Sequence, residues 1–442
     1  MLSIVKLELP RGMRDLEYEE LYNINYIGEK FVETTTLFNF KFMEPSPIEM
    51  LSTLETKSGA TISNEIYSFS DKGDRKVALR FDLTIGLTRF VTARRDLKMP
   101  AKLATFAGVW RYDEPQAGRY RYFHQWDIEI YGSFGHESDA EIIEFVSVFL
   151  KKLGITVRIE INDRQLMEEF VRNHLGIEDE YMILEMFRAI DKVPKKGTKA
   201  VLEEYKDKVE YSTLQRLIDL STRSGTIDKI ADSDGDLQDL ANWSKLAELM
   251  DSLKARRVTN AQVNLGIVRG LDYYSGLVFE AFDPSLEMGA LVGGGRYDKL
   301  TSAFGRKDIG ATGAAGGVER LIISLKKHGI LKSEPKPLVY VAFSTKEVCK
   351  NTLELVSNLR NSGVITEYDI QCRILRKQLD DASTKGALIT IIVAPDEIKN
   401  GQVTVRSMRD GSESKHSIND LAKNLNDIML PLQQQQRRHR NS

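Results

Sequence analysis

The chain has 442 residues, a hydrophobic content of 42% and a net charge of −2, a composition that excludes a largely disordered protein and predicts several globular domains. There is no global basic field for nucleic acid, although residues 335–442 carry 16 Lys/Arg against 12 Asp/Glu. Two isolated cysteines and no apolar run of membrane-spanning length predict a cytoplasmic protein without membrane contact.

The first third of the chain combines helical and strand-like segments. Apolar spacing predicts a helix over residues 17–37, and the alternating phenylalanines of residues 38–42 predict one face of a strand. Helices are predicted over 84–94 and 138–152. The segment 104–132 is a long strand–turn–strand pattern, which indicates an antiparallel sheet instead of a βαβ series.

The sequence pattern changes near residue 178, where a charged segment with mostly helical spacing begins and continues to about residue 255. Strand patterns then return, and the glycines of residues 293–295 predict a turn. The segment ATGAAGGVERLIISLKKHG predicts a strand that leads into a helix. A Pro/charge linker at 333–337 marks a domain boundary, and alternating strands and helices beyond it predict a compact α/β domain.

The densest polar constellation is WRYDEPQAGRYRYFHQWDIEIYG. Strand alternation places Phe123, Gln125, Asp127 and Glu129 on one face and His124 on the other, where we expect it to pack. Arginines before the strand match phosphate and carboxylate oxygens. Two interpretations stay open at this point: a site for a zwitterion beside polyphosphate, or a solvent-facing polar row with surface ion pairs.

Two further segments have the composition of binding sites. IVRGLDYYSGLVFE contains Arg269, Tyr273 and Tyr274, and tyrosine hydroxyls can orient a polar ligand, although a hairpin with aromatic packing explains the pattern equally well. GAAGGVER supplies small residues that allow close backbone approach to a ligand, with Arg320 near the start of a helix. The sequence contains neither GxxxxGK[ST] nor a GxGxxG after the first strand.

Together these segments resemble the histidyl-tRNA synthetase family of class II aminoacyl-tRNA synthetases. The polar strand resembles the second class II motif, and GAAGGVERL resembles the third. IVRGLDYYSGLVFE and GGGRYD resemble the two histidine-specific signatures, and VALRFDLT resembles the strand that supplies an acidic amino-acid ligand. IIVAPDEIKNGQVTVRSM resembles the shared anticodon-binding domain, so the resemblance covers nearly the whole chain.

The resemblance implies an α+β fold: a class II synthetase core with an antiparallel sheet flanked by helices, a helical insertion, and a C-terminal α/β anticodon-binding domain. The expected division is a catalytic core over residues 1–175 and 257–332, an insertion over 176–256, an anticodon-binding domain over 338–430 and a disordered tail over 431–442.

The family joins histidine to ATP as an aminoacyl-adenylate and passes the acyl group to tRNA, so ATP, Mg²⁺, L-histidine, tRNA(His) and a second copy in a homodimer are the implied partners. Arg111 matches the arginine on the α-phosphate, and Arg269 matches the family's arginine opposite it; both are expected to be catalytic. Arg320 and Phe123 match the residues that sandwich adenine, and Arg119 matches a contact to the outer phosphates.

The amino-acid site is implied in the same way. A neutral imidazole offers one donor and one acceptor, which an acidic side chain and a tyrosine hydroxyl can recognise. The expected histidine-binding residues are Asp82, Thr84 and Gln125 for the ammonium group, Glu129 and Tyr274 for the imidazole, and Arg269, Tyr273 and Tyr297 as further contacts.

Three positions depart from the family pattern. Glu114 stands where bacterial members carry arginine, which alters acceptor recognition by Glu114 and Gln116. Asp82 stands where bacterial members carry the longer glutamate. The first class II motif, which carries the dimer contact, contains Pro45 and Pro47 instead of a single proline.

Two competing hypotheses remain. One is a regulatory subunit of histidine biosynthesis, which has the same core without aminoacylation; it typically lacks the C-terminal domain and disrupts the histidyl arginine. The other is a sister prolyl, threonyl or glycyl synthetase, which shares the C-terminal domain but not the segment Arg269–Tyr274.

Overall fold

A computed structural model of the chain describes residues 7–58, 65–112, 114, 120–233, 235–268, 274–333, 339–421, 424–425 and 429. The chain divides into two compact units, one within residues 1–333 and the other within 334–442. Each unit has its own hydrophobic core. No helix of the described ranges is both long enough and apolar enough to cross a membrane.

The first unit is built on a nine-stranded sheet in which the neighbouring strands are antiparallel except at two pairs, the first with the second and the seventh with the eighth. The sheet therefore confirms the antiparallel α+β prediction. Side by side, its strands are β1 (Lys41–Phe42), β5 (Ala101–Trp110), β6 (Tyr122–Tyr131), β12 (Ala311–Gly317), β11 (Val292–Arg296), β10 (Leu277–Phe282), β7 (Arg158–Asp163), β9 (Ala261–Asn264) and β8 (Ser224–Gly225).

Helices cover both faces of this sheet, and a small sheet lies beside it. The main core joins alternate residues of β6, such as Trp126 and Ile128, to aromatic side chains of the first and fourth helices, such as Phe31 and Phe149. These helices are α1 (Tyr18–Leu37), α2 (Leu51–Ser58), α3 (Thr84–Ala93), α4 (His136–Lys152), α11 (Asp298–Ala303) and α12 (Val318–Lys327). The small sheet has the order β2 (Ile48–Met50), β4 (Lys76–Leu79), β3 (Ser68–Ser70).

Six further helices lie between β7 and β9 in the sequence of this unit. Two begin at aspartates whose carboxylates accept backbone N–H groups of the first turn: Asp163 accepts from Gln165 at 2.7 Å, and Asp179 accepts from Met182 at 2.7 Å. The helices are α5 (Arg164–Leu175), α6 (Glu180–Lys196), α7 (Thr198–Tyr205), α8 (Tyr211–Ser221), α9 (Ile227–Ser233) and α10 (Ala241–Ala255), with a 3₁₀ turn at Gly235–Leu237.

The second unit is an α/β domain, as predicted. Its sheet begins with parallel pairs and ends with antiparallel ones. In spatial order, the strands are β14 (Thr366–Tyr368), β13 (Val339–Phe343), β15 (Ile389–Val393), β16 (Gln402–Ser407) and β17 (Glu413–Ser417). Its helices are α13 (Cys349–Asn361), α14 (Leu375–Thr384) and α15 (Pro395–Lys399), with a 3₁₀ turn at Lys346–Val348.

Two local predictions are wrong. The phenylalanines of residues 38–42 do not share a strand face, because α1 extends to Leu37, Asn39 turns the chain with a φ of 56°, and β1 has only two residues. The glycines of residues 293–295 are not a turn but the centre of β11. Close packing explains why glycine occupies this strand, because a Cβ at Gly294 would lie 2.4 Å from the Phe279 ring.

Candidate active site

Two adjoining cavities lie along β6. The first, which we call the acidic pocket, has a volume of about 110 Å³ and is lined by Asp82, Thr84, Arg111, Gln125, Glu129, Tyr274, Gly293, Tyr297 and Gly313–Ala315. The second, the arginine pocket, has a volume of about 310 Å³ and is lined by Arg111, Tyr120, Phe123, Gln125, Ala290, Leu291, Gly293, Ala315–Gly317, Glu319 and Arg320. Both cavities are lined by Arg111, Gln125, Gly293 and Ala315.

Two residues of the polar row of β6, Gln125 and Glu129, line the acidic pocket. Gln125, Asp127 and Glu129 are all buried, whereas the residues between them face the helical core. The period of two therefore holds over the whole strand. Burial of the row excludes the alternative of a solvent-facing row with surface ion pairs.

The Glu129 carboxyl group occupies a space that a glycine leaves open. Gly313 of β12 lies directly opposite Glu129 in the strand pairing. A Cβ at Gly313 would lie 1.5 Å from Glu129 Oε2, so no side chain larger than hydrogen fits there. The Tyr297 hydroxyl donates a hydrogen bond to the same oxygen. Two strands and one aromatic side chain thus determine the position of this carboxyl group.

Two carboxyl groups lie close together at the base of this pocket. Burial, reinforced by the neighbouring Asp127 carboxylate, raises the pKa of Glu129 well above its usual range. Asp127 Oδ2 accepts a hydrogen bond from Thr84 Oγ1 at 3.0 Å. Burial also raises the pKa of the Tyr274 phenol, so this hydroxyl stays protonated. Glu129 therefore holds a proton more readily than an exposed glutamate, and both it and the Tyr274 hydroxyl can share hydrogen bonds with a buried ligand.

Asp82 and Thr84 reach the acidic pocket from an unexpected element. VALRFDLT is a strand only as far as Leu79, and α3 begins at Thr84. Asp82 Oδ1 accepts a backbone N–H from Ile85 at 3.2 Å, in the manner of a helix cap. Both side chains therefore project from the start of a helix, and the prediction of one strand through this segment is wrong in its second half.

The arginine pocket contains two guanidinium groups that are held by backbone carbonyls. Arg111 Nε donates to Phe81 O at 2.9 Å, and its guanidinium lies 5.0 Å from the Phe123 ring centroid. Arg320, in the first turn of α12, donates from Nη1 to Ala290 O at 2.7 Å. An aromatic face beside a cation, in a pocket with a second cation, suits a flat base joined to an anionic chain.

Three site residues were not predicted from the sequence. Glu319 lines the arginine pocket and accepts the His124 backbone N–H at 3.0 Å, and Tyr120 lines the same pocket. Asp127 was placed on the polar face without a role, although its strand parity was the signal that could have revealed one. Nothing in the local sequence distinguishes Glu319 from an ordinary first-turn acid of a helix.

The two cavities bring together most of the predicted site residues: Asp82, Thr84, Arg111, Phe123, Gln125, Glu129, Tyr274, Tyr297 and Arg320. Gln116, Arg119, Arg269 and Tyr273 lie outside the described residues. Glu114 is exposed, and its carboxylate lies 3.1 Å from Arg11 Nη2.

No group of three or more His, Cys, Asp or Glu side chains is arranged to hold a metal ion within the described ranges. Glu319 supplies a carboxylate to the arginine pocket. This donor set fits a magnesium ion that is held mainly by substrate phosphates and by few protein ligands.

Family models match almost the whole chain. The model for histidyl-tRNA synthetase matches residues 12–321, and the model for an anticodon-binding domain matches residues 322–428. Histidine–tRNA ligase of Pyrococcus furiosus is 34% identical over 424 residues, which cover 94% of this chain and 98% of that protein. Histidine–tRNA ligase of Thermoplasma volcanium is 33% identical over 420 residues, covering 94% and 98%.

Solved structures share the fold. Histidyl-tRNA synthetase from Nostoc sp. PCC 7120 superposes with a TM-score of 0.82 at 24% identity, covering 96% of this chain and all of that one. A Bacillus halodurans protein described as an ATP phosphoribosyltransferase regulatory subunit/histidyl-tRNA synthetase has a TM-score of 0.73 at 22% identity, covering 89% and 99%. At these identities the superpositions establish architecture alone.

Proposed function

The chain belongs to the histidyl-tRNA synthetase family, and we propose that it activates L-histidine with ATP as histidyl-adenylate and transfers the histidyl group to the 3′ end of tRNA(His). The observation that carries this proposal is the pair of pockets. An acidic pocket and an arginine pocket share one wall, so a ligand with a cationic end and a ligand with an anionic end meet at Arg111 and Gln125.

The acidic pocket suits the amino-acid end of histidine. Gln125 Oε1 is buried and accepts no hydrogen bond from the described residues, so an ammonium group would supply the missing donor. Asp82 and Thr84 complete that end of the pocket. Glu129 and Tyr274 are assigned to the two imidazole nitrogens, because a buried carboxyl and a buried phenol distinguish imidazole from an apolar side chain.

The arginine pocket suits ATP. The histidine carboxylate attacks the α-phosphorus and pyrophosphate leaves, so one anion approaches another and nearby cations must neutralise the developing charge. Arg111, on the shared wall, is placed to act on both reactants. Arg320 and Phe123 are assigned to adenine and the outer phosphates. Arg269 and Arg119 are assigned by the family resemblance, opposite Arg111 and beside the outer phosphates.

Magnesium is assigned to the phosphate end of the arginine pocket. Glu319 is the carboxylate there that would hold it together with ATP. When bound, the ion supplies positive charge to the phosphate oxygens.

We further propose a homodimer and a tRNA contact by the second unit. The edge strand β1 and the adjoining helix α1 expose Phe42, Val32 and Leu37, which a partner copy would cover. A monomeric mass in solution would contradict the dimer. Removal of residues 338–442 is expected to spare adenylate formation and to weaken tRNA charging, because the described lining residues of both pockets lie within residues 82–320.

The test of the activity is amino-acid-dependent ATP–pyrophosphate exchange with Mg²⁺, using histidine, proline, threonine and glycine. Exchange with histidine alone is the expected result, followed by charging of tRNA(His). Absence of exchange with all four amino acids, in a protein with a cooperative unfolding transition, would overturn the proposal and favour a regulatory histidine-binding role. Exchange with another member of the panel would move the chain to a sister specificity.

A further inference from the structure

The first turn of α5 lies outside both pockets but holds the backbone on which Tyr274 is carried. Arg164 Nη1 donates to Tyr274 O at 3.0 Å, and Gln165 Nε2 donates to Ser275 O at 2.7 Å. The backbone N–H of Arg164 donates to Gly276 O at 3.0 Å. Three consecutive carbonyls are thus held by the first two residues of one helix.

The helix start is itself fixed. Asp163 Oδ1 caps the first turn by accepting from Gln165 N and Leu166 N. Arg164 is buried, and its Nε donates to Glu168 Oε1 at 2.6 Å one turn along the helix. The guanidinium therefore has little freedom to follow the Tyr274 backbone if that backbone moves.

The Tyr274 side chain has equally little freedom to compensate. Its ring packs on Gly295, where a Cβ would meet Cδ1 at 2.9 Å. With the ring confined, the height of the hydroxyl in the acidic pocket is determined by the backbone at residue 274. That backbone is the part that Arg164 and Gln165 hold.

We propose that Arg164 and Gln165 are positioning residues for histidine selection, acting on the imidazole contact of Tyr274 through its backbone. This inference rests on the proposed function, because it assigns Tyr274 to the imidazole. Neither residue lines the acidic pocket or the arginine pocket, so both act from behind the site. Loss of either side chain should weaken histidine binding and leave ATP binding unchanged. General loosening of the unit would instead weaken the binding of both ligands.

The decisive variants are at Gln165, because this side chain is exposed and its replacement leaves the core intact. Gln165→Glu places an acceptor against Ser275 O, whereas Gln165→Lys retains a donor. We expect Gln165→Glu to raise the KM for histidine about fivefold to tenfold in the exchange assay, the effect of one lost hydrogen bond with added repulsion. The KM for ATP and the unfolding temperature should not change, and Gln165→Lys should behave like wild type.

Arg164→Ala should give a larger increase in the KM for histidine, and Arg172→Ala, at the far end of the same helix, is the matched control. If Arg164→Ala does not fold, the two Gln165 variants decide. Unchanged KM for histidine in Gln165→Glu, or a parallel rise in both KM values, would overturn the inference. A wild-type protein without histidine-dependent exchange would instead overturn the proposed function, on which the inference depends.

Discussion

The acidic pocket and the arginine pocket differ in how they are built, although one strand serves both. The acidic pocket lies deep along β6, and its key carboxyl, Glu129, is enclosed by a neighbouring strand and a tyrosine. The arginine pocket lies at the start of β6, where Arg111 and Arg320 are held by carbonyls of irregular segments. The acidic pocket is therefore enclosed by paired strands, whereas the arginine pocket presents guanidinium groups anchored by backbone carbonyls.

This difference matches what each ligand demands. Discrimination of imidazole requires buried polar groups whose positions do not adjust, because an ill-fitting analogue must leave them unsatisfied. Stabilisation of a polyphosphate depends on charge more than on shape, and guanidinium forks on long side chains supply it. We expect substitutions in the acidic pocket to change the selection of histidine, and substitutions in the arginine pocket to change the rate.

Arg111 lines both pockets, so its replacement should have a greater effect than any other substitution. Arg111→Ala should lower the rate of pyrophosphate exchange about 10²-fold to 10³-fold, because it removes a preorganised charge from the transition state. Arg111→Lys should recover only part of the lost exchange rate, because lysine lacks the bidentate fork of the guanidinium group. The measurement is exchange at saturating histidine and ATP. Arg75→Ala, an exposed arginine paired with Asp71, is the control, and full activity of Arg111→Ala would refute the assignment.

The next test breaks the acidic pocket alone. Gly313→Ala places a Cβ where Glu129 Oε2 lies, so the carboxyl group must move. Histidine-dependent exchange should fall about 10²-fold at subsaturating histidine, the loss that an ångström-scale misplacement causes. The KM for ATP should change little. Gly135→Ala meets nothing within 4 Å and provides the control. Equal weakening of ATP binding would show that the two pockets are not separable.

The sequence predicts the polar face of β6 because the two-residue period of a strand is a local property. Glu129 and Gln125 follow from that period alone. The position of Gly313, which makes room for Glu129, does not follow from that period. Gly313 lies opposite Glu129 because two strands about 180 residues apart in the chain pair with each other. Local patterns carry no information on such pairings.

The wrong prediction for the glycines of residues 293–295 has the same origin. Glycines in a row normally indicate a turn, yet Gly294 and Gly295 form part of β11 because the Phe279 and Tyr274 rings occupy the space above them. The hydrogen bond from Arg164 to the Tyr274 carbonyl could not be predicted from the sequence either, because it joins two segments 110 positions apart. For these glycines and for Arg164, the local pattern missed a contact between separate segments of the chain.

The enclosure of Glu129 also predicts a pH dependence of stability. Its pKa in the folded protein lies above the unfolded value of about 4.3, so the folded state binds the proton more tightly. Its contribution to stability is present below the unfolded pKa and is lost as pH rises through the folded pKa. Glu129→Gln stays neutral throughout and should avoid this loss.

The measurement is the unfolding midpoint of the ligand-free protein at pH 5 and pH 8. Glu129→Gln should gain on wild type more at pH 8 than at pH 5, with 1 kcal/mol corresponding to about 1–2 °C in the midpoint for a unit of more than about 300 residues. The exposed Glu29→Gln should show no such difference between the two pH values. An equal gain at both pH values would show that the pKa of Glu129 is not raised in the folded protein.

A weaker effect is expected from a residue of α5 that lines neither pocket. Glu169, also on α5, caps α10 by accepting Ala241 N at 2.9 Å and Asn242 N at 3.0 Å. Glu169→Ala removes a helix cap worth about 1 kcal/mol and loosens the helix that holds the Tyr274 backbone. The KM for histidine should rise about twofold while the KM for ATP stays constant, because no residue of α5 lines the arginine pocket. Glu169→Gln keeps an acceptor, so its KM for histidine should lie between those of the wild type and Glu169→Ala. A shift in the KM for ATP alone would show that α5 acts on the arginine pocket instead.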